Sequence, residues 1–226
     1  MHCLWCHEEI IPEVTWTNLF RIHQEQLLCS TCEEQLPLIP SNGCKRCSRP
    51  VEQKEVCEDC KRWESSPEWR GLLTRNISVY IYTPFMKDIM ARWKYRGDYI
   101  LISMFQHHIR QVFSRTLSQQ EGVLVPVPLS EERLRERGFN QAQAIAELLP
   151  LPIEHALIRI QSEKQAKKSR SERLQSSNPF RLVKPIEQPV ILVDDLYTTG
   201  MTIRWAAQIL KGAGATEIYS FTLIRS

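Results

Sequence analysis

The chain has 226 residues, 42% hydrophobic and 24% charged, with a formal net charge of +3. That length suits one ordinary domain plus a small module, and that composition excludes a disordered or fibrous chain. The longest apolar runs, such as Val190–Val193, are far shorter than the roughly 18–20 residues that cross a membrane. No membrane insertion is therefore expected. Met1–Cys6 lacks the basic-then-apolar pattern of a signal peptide, so the expectation is a cytoplasmic protein. Charge is split along the chain. Residues 1–64 carry 7 Lys/Arg against 11 Asp/Glu, whereas residues 65–226 carry 22 against 15, and all eight cysteines sit in the acidic segment.

The cysteines form four Cys-x-x-Cys pairs: Cys3/Cys6, Cys29/Cys32, Cys44/Cys47 and Cys57/Cys60. Two thiolates on one tight knuckle reach the same ion at about 2.3 Å, and two knuckles complete a closed tetrahedral shell. Four knuckles imply two structural zinc ions. The simplest pairing joins the first knuckle to the second and the third to the fourth, but spacing leaves a cross-braced arrangement open. A disulfide scaffold lacks a secretory context, and an iron–sulfur or redox role is the remaining alternative. The metal would supply folding energy that so few aliphatic residues cannot. Eight thiolates and two Zn²⁺ also take this segment from −4 to −8 and the chain from +3 to −1.

Beyond the knuckles, Ser65-Ser66-Pro67 marks a boundary, giving a head over 1–64 and a second domain over 70–226. Asn76–Thr83 is β-branched and aromatic and reads as a strand. Pro84 opens a helix through Tyr95, with Phe85, Ile89 and Trp93 on one face. Tyr99–Ser114 reads as helical, Gly122–Val127 as a short strand, and Phe139–Leu149 as a helix capped by Asn140. Ile160–Asn178 is polar and basic, a long loop. Val190–Val193 is a buried strand, Thr202–Leu210 a helix, and Glu217–Leu223 a last strand. Strands alternating with helices predict an α/β fold with a mainly parallel sheet flanked by helices.

Three segments carry chemistry. In VILVDDLYTTGMT a buried strand delivers Asp194 and Asp195 to its C-terminal end, where α/β sheets bind ligands. Carboxylates there suit ribose hydroxyls or a magnesium ion. The following turn adds the Thr198, Thr199 and Thr202 hydroxyls, Gly200 for close backbone approach, and a helix N-terminus that favours phosphate. In SEERLRERGFNQ, Arg133 and Arg137 share a helical face from which guanidinium forks can hold a pyrophosphate. Glu132 and Glu136 could instead pair with them on an ordinary solvated helix. Residues 159–184 hold eight basic residues against two acids, suited to closing over phosphates or tracking a nucleic-acid backbone.

VILVDDLYTTGMT resembles the phosphoribosyl-pyrophosphate motif of type I phosphoribosyltransferases. The resemblance assigns Asp194 and Asp195 to the ribose hydroxyls and Tyr197, Thr198, Thr199, Gly200, Met201 and Thr202 to the 5′-phosphate loop. It departs at Thr198, where purine-salvage members carry a carboxylate that acts on the base. With the knuckles, Trp93-Lys94-Tyr95-Arg96-Gly97-Asp98 and the Arg-Gly-Phe-Asn-Gln run, the chain resembles the ComF family over almost its whole length. That resemblance implies a double zinc ribbon, a phosphoribosyltransferase-like domain, and Gln165, Lys167, Lys168, Arg170 and Arg173 as a segment for loop closure or DNA. It further implies a role in DNA uptake during natural transformation. The implied ligands are phosphoribosyl pyrophosphate with magnesium, and the implied partners are single-stranded DNA, a ComFA-type helicase and other competence or recombination proteins. The alternative is an active transferase releasing pyrophosphate to an unnamed acceptor, and the third reading is an interaction scaffold.

Overall fold

The computed structural model describes residues 1–11, 26–40, 42–52, 55–160 and 178–226. Four parallel strands form the sheet, in the order β1 (Arg75–Ile81), β6 (Ile218–Arg225), β5 (Val190–Tyr197), β2 (Val123–Pro126). β5 lies centrally, with Val190 opposite Ile218 and Val123, and Val193 opposite Phe221 and Pro126. Burial on both faces explains its unbroken apolar run. Ile191 and Val193 face one core with Phe221 and Leu223, while Val190 and Leu192 face the other with Val123 and Val125.

Connections between strands run mostly as the sequence predicts. Helix α3 (Pro84–Tyr95) begins at Pro84, with Thr83 Oγ1 accepting the Met86 N–H at 3.3 Å. Its buried stripe is Met86, Ile89, Met90 and Trp93. The following segment divides into a 3₁₀ turn, Tyr99–Phe105, and α4 (Gln106–Leu117). α5 (Glu131–Arg137) ends at Gly138, whose left-handed φ of 77° closes the helix. α6 (Gln141–Ala146) is shorter than the expected 139–149, because Phe139 leaves the helix to pack on Tyr99 and Trp93, with centroids 5.0 and 5.9 Å apart. Asn140 caps it as expected, its Oδ1 accepting the Ala142 N–H at 3.0 Å. α7 (Met201–Gly212) returns β5 to β6, burying Ile203, Ala206, Ala207 and Leu210.

One element has no counterpart in the sequence reading. β3 (Leu157–Arg159) pairs antiparallel with β4 (Phe180–Leu182), at the two ends of the basic segment. Three-residue strands carry no readable alternation, so only the pairing reveals them. Gln165, Lys167, Lys168, Arg170 and Arg173 lie between these strands, outside the described residues.

The cysteine segment is woven into this sheet. Pro37–Ile39 runs antiparallel to β1, with Ile39 N–H donating to Val79 C=O at 3.0 Å and Ile81 N–H to Pro37 C=O at 2.8 Å. At the other edge, Leu124 bridges Ile153. Both exposed ladders are thereby covered. Helices α1 (Ser30–Glu34) and α2 (Glu58–Ser65) each follow a knuckle cysteine, Cys29 and Cys57. The first pair of knuckles packs into one core through Cys3 and Cys32, and the second into the other core through Cys44, Cys47 and Cys60. A buried polar cluster seals the second contact. Asn76 Nδ2 donates to Ser78 Oγ at 2.8 Å and to Cys47 C=O at 3.3 Å, and Asn76 Oδ1 accepts from Ser220 Oγ at 2.8 Å. Each such bond nets only about 0.5–1.5 kcal/mol, but orphaning a buried partner costs more.

Candidate functional site

The metal sites come first in the chain. Cys3, Cys6, Cys29 and Cys32 converge, as do Cys44, Cys47, Cys57 and Cys60, each set with its sulfurs within 4.8 Å of one another. Cys6 Sγ and Cys29 Sγ lie 3.6 Å apart, as do Cys47 Sγ and Cys57 Sγ. Sulfurs bound to one tetrahedral Zn²⁺ at about 2.3 Å are roughly 3.8 Å apart, so both sets fit zinc. The pairing is sequential and not cross-braced. Cys44 Sγ accepts N–H bonds from Arg46 at 3.4 Å and Cys57 at 3.2 Å, the pattern that favours a thiolate. The Cys60 thiol holds Cys47 below the ordinary thiol range against the opposing effect of burial, helped by the Arg49 backbone and the Arg225 guanidinium.

The second site lies at the C-terminal end of β5. Asp194 Oδ1 accepts the Asp195 N–H at 2.8 Å, and Asp195 pairs with Lys94 at the end of α3. Both members of that pair are largely enclosed, with the Lys94 side chain 15% and that of Asp195 14% exposed. Burial pushes Asp194 well above the usual carboxylate range, the neighbouring charge of Asp195 adds to this, and Lys94 opposes it.

Past the acids the chain turns into α7. Thr198 and Thr199 are exposed, and Met201 and Thr202 form the partly buried first turn. Gly200 is the N-cap at φ 83° and offers no side chain to its helix, while Thr199 Oγ1 makes only a long 3.4 Å contact with Met201 N–H. The turn thus presents hydroxyls and a helix N-terminus together. Tyr197 does not face this opening. Its side chain is buried in the second core and its hydroxyl accepts from Arg204 Nη1 at 2.8 Å, so it supports the loop from beneath. A Cβ on Gly200 would strike that hydroxyl and Arg204 Nη1, two buried groups bonded to each other. Gly200→Ala is therefore expected to cost roughly 1–3 kcal/mol in urea denaturation, from strain in both the backbone and the packing. An unchanged midpoint would contradict this account of the turn.

The arginines lie on α5, which touches α3. Arg133 is exposed, with Ser130 Oγ capping its backbone N–H at 3.3 Å. Arg137 is partly buried, bonded through Nη1 to Gln141 Oε1 at 2.9 Å and placed 5.7 Å from the Tyr95 ring. Among the described residues neither pairs with Glu132 or Glu136, so neither fork is taken up by a carboxylate, although Arg137 Nη1 is engaged by Gln141. Arg159 on β3 joins them. It lies over the Phe180 ring at 5.5 Å and feels both Arg133 and Asp194. Burial lowers its pKa, Arg133 adds to this, and Asp194 opposes it. Asn178 fastens the far end of the basic segment to α7, donating to Trp205 C=O at 2.7 Å.

Lys94 and Arg159 are candidate site residues that sequence reasoning met only within longer segments, the Trp93–Asp98 run and the basic stretch 159–184, and did not single out. Lys94 sits within the Trp-Lys-Tyr-Arg-Gly-Asp run, which is a signal, but its partner Asp195 is remote in the chain. Arg159 gives no signal beyond its charge.

Comparison with known proteins decides the family. Residues 1–61 match the model of the double zinc ribbon domain, and residues 134–226 that of the phosphoribosyl transferase domain. The chain is 42% identical over 227 residues to competence protein ComFC of Bacillus subtilis, covering 99% of this chain and 95% of that one. This chain belongs to the ComFC family. The ComFC protein of Streptococcus pneumoniae is 30% identical over the full length of both chains. A DNA utilization protein, YhgH, of Salmonella typhimurium is 27% identical over 88% of this chain and 97% of its own. As a ComFC family member the chain combines two four-cysteine sites with a phosphoribosyltransferase-type α/β sheet. No helix among the described residues is long and apolar enough to cross a membrane.

Proposed function

We propose that this chain is a competence factor acting in DNA uptake, with a pocket for phosphoribosyl pyrophosphate and magnesium at the end of β5. In this reading residues 1–64 are a metal-held head and residues 70–226 carry the ligand. One observation carries the pocket: Asp194 and Asp195 end β5 just before the N-terminus of α7, with Arg159 within electrostatic reach of both Asp194 and Arg133, and Arg137 against the ring of Tyr95, the neighbour of Lys94. Carboxylates accept hydrogen bonds from vicinal ribose hydroxyls, the turn takes a 5′-phosphate, and guanidinium forks take a diphosphate. Magnesium, when bound, would neutralise the diphosphate charge. Lys94 neutralises Asp195 in the free protein and would give up part of that contact to the ligand. The names borne by the relatives, competence protein and DNA utilization protein, support the DNA-handling role. Single-stranded DNA, a ComFA-type helicase and other competence proteins are the partners, and the cytoplasm the location, that this role entails.

A second reading, transfer of ribose 5-phosphate to an acceptor, is favoured by the retained acids and arginine forks. It is weakened by exposed Thr198, which stands where a base-directed carboxylate would be expected and cannot accept a proton at neutral pH.

Titration calorimetry with phosphoribosyl pyrophosphate and magnesium tests the pocket, and ³¹P spectroscopy follows pyrophosphate release with and without single-stranded DNA and nucleobases. Saturable binding without release is the expected result. Release that depends on an added acceptor would establish the transferase. No binding at millimolar ligand would remove the pocket.

A further inference from the structure

Two arginines beneath the phosphate loop are almost completely enclosed: Arg204 is 3% exposed and Arg225 2%. No carboxylate pairs with either among the described residues. A buried, uncompensated guanidinium is costly, so its counter-charge must be sought elsewhere. Arg225 Nη2 lies 3.7 Å from Cys47 Sγ, a ligand of the second knuckle site. Four thiolates around one Zn²⁺ carry a formal charge of −2, which matches two arginines.

Both arginines then reach the loop. Arg225 Nη1 donates to Tyr197 C=O at 3.0 Å, and its guanidinium lies 5.1 Å from the Tyr197 ring. Arg204 Nη1 donates to Tyr197 Oη at 2.8 Å and lies 3.4 Å from Gly200 C=O. From the side, Trp63 covers the Arg204 guanidinium at 4.3 Å and donates its Nε1–H to Thr199 C=O at 3.1 Å. Trp63 is on α2, three residues after Cys60, and Trp69 braces it edge to face at 5.7 Å. The other knuckle site packs in the opposite core and has no such route among the described residues.

We infer that the Cys44/Cys47/Cys57/Cys60 site, acting through Trp63, Arg204 and Arg225, sets the conformation of the Thr198–Thr202 loop, so that phosphate binding by the α/β segment depends on metal in the head. The link to phosphate affinity rests on the pocket proposed above; the hold on the loop does not. Trp63, Arg204 and Arg225 are positioning residues, since none needs to touch the ligand.

The test uses the full chain with both metals bound. Hydrogen exchange read by mass spectrometry reports on the 198–202 peptide without ligand, and calorimetry reports the Kd for phosphoribosyl pyrophosphate. Trp63→Ala removes one hydrogen bond and one cation–π contact. It should retain two zinc ions per chain, speed loop exchange about tenfold and weaken binding by a similar factor. Trp63→Phe keeps an aromatic face but no N–H, and should fall between. Cys57→Ser should free the loop while Cys3→Ser leaves it protected. Unchanged loop exchange in a Trp63→Ala protein holding two zinc ions would overturn the inference, and so would equal loop release from both cysteine variants. If wild type binds no phosphoribosyl pyrophosphate while Trp63→Ala still frees the loop, the pocket falls and the mechanical link stands.

Discussion

Asp194→Asn is expected to make the free protein more stable while abolishing binding of phosphoribosyl pyrophosphate. The amide retains the Oδ1 that accepts the Asp195 N–H, and it removes a partly buried charge held against a neighbouring carboxylate. A gain of about 1 kcal/mol, ~2–4 °C in Tm for a chain of this size, is the expected scale. The pH dependence follows from the direction of the shift. A carboxylate whose pKa is raised in the fold binds more protons folded than unfolded, so wild-type stability falls as pH rises from the ordinary value near 4 through the raised one. The advantage of Asp194→Asn should therefore be full above that window and vanish below it. Asp195→Asn should act in the opposite sense, because it leaves Lys94 enclosed without its partner; a loss of about 2 kcal/mol is expected. Calorimetric melts from pH 4 to 8 separate the two variants. Destabilisation by Asp194→Asn at neutral pH would show that Asp194 is not strained by its surroundings. Asp194, at odds with stability at a strand end beside an ion-paired Asp195, is what a site held ready for a ligand would show.

Loss of the second zinc is the other large effect. Cys47→Ser should lower the metal content from two ions to one, measured by mass spectrometry, and reduce Tm by ~10 °C or more, because zinc binding in small four-cysteine modules is folding free energy. Here the head is not the only part affected. Cys44, Cys47 and Cys60 share a core with Val125, Leu192 and Tyr197 of the sheet. Asn76 ties Cys47 C=O to β1, and Arg225 lies against the Cys47 sulfur. Removing the metal therefore exposes a sheet face and strands a buried cation. Near-ultraviolet circular dichroism should lose its aromatic signal from both segments in one transition. Two separate transitions, with the α/β signal intact after zinc loss, would mean that the head folds independently of the sheet.

Much of this protein is legible in its sequence because the relevant information is local. Cys-x-x-Cys makes a knuckle because two thiolates so close in the chain can wrap one ion. Thr83-Pro84 starts a helix through its own hydroxyl and fixed φ. The run from Val190 to Thr202 reads as strand, acid pair, turn and helix because each step is decided by neighbours within a few residues. Only folding decided which knuckles share an ion, since Cys6 and Cys29 meet across a stretch whose length is compatible with either pairing. Only folding joined Leu157–Arg159 to Phe180–Leu182, placed Lys94 on Asp195, and turned Tyr197 inward.

The division into an acidic, cysteine-rich head and a basic α/β segment is set by composition alone. Composition also points to phosphate for the second segment, and Arg159, which feels both Arg133 and Asp194, agrees with that. What it could not contain is the seam between the two. Trp63 and Thr199 are 136 residues apart, and their contact exists because α2, which follows Cys57 and contains Cys60, is held by the core on that side of the sheet, near the end of β5 from which the loop emerges. Local preferences are written residue by residue along a chain, whereas a contact of that span is chosen by which packing buries the apolar faces and compensates the buried charges together.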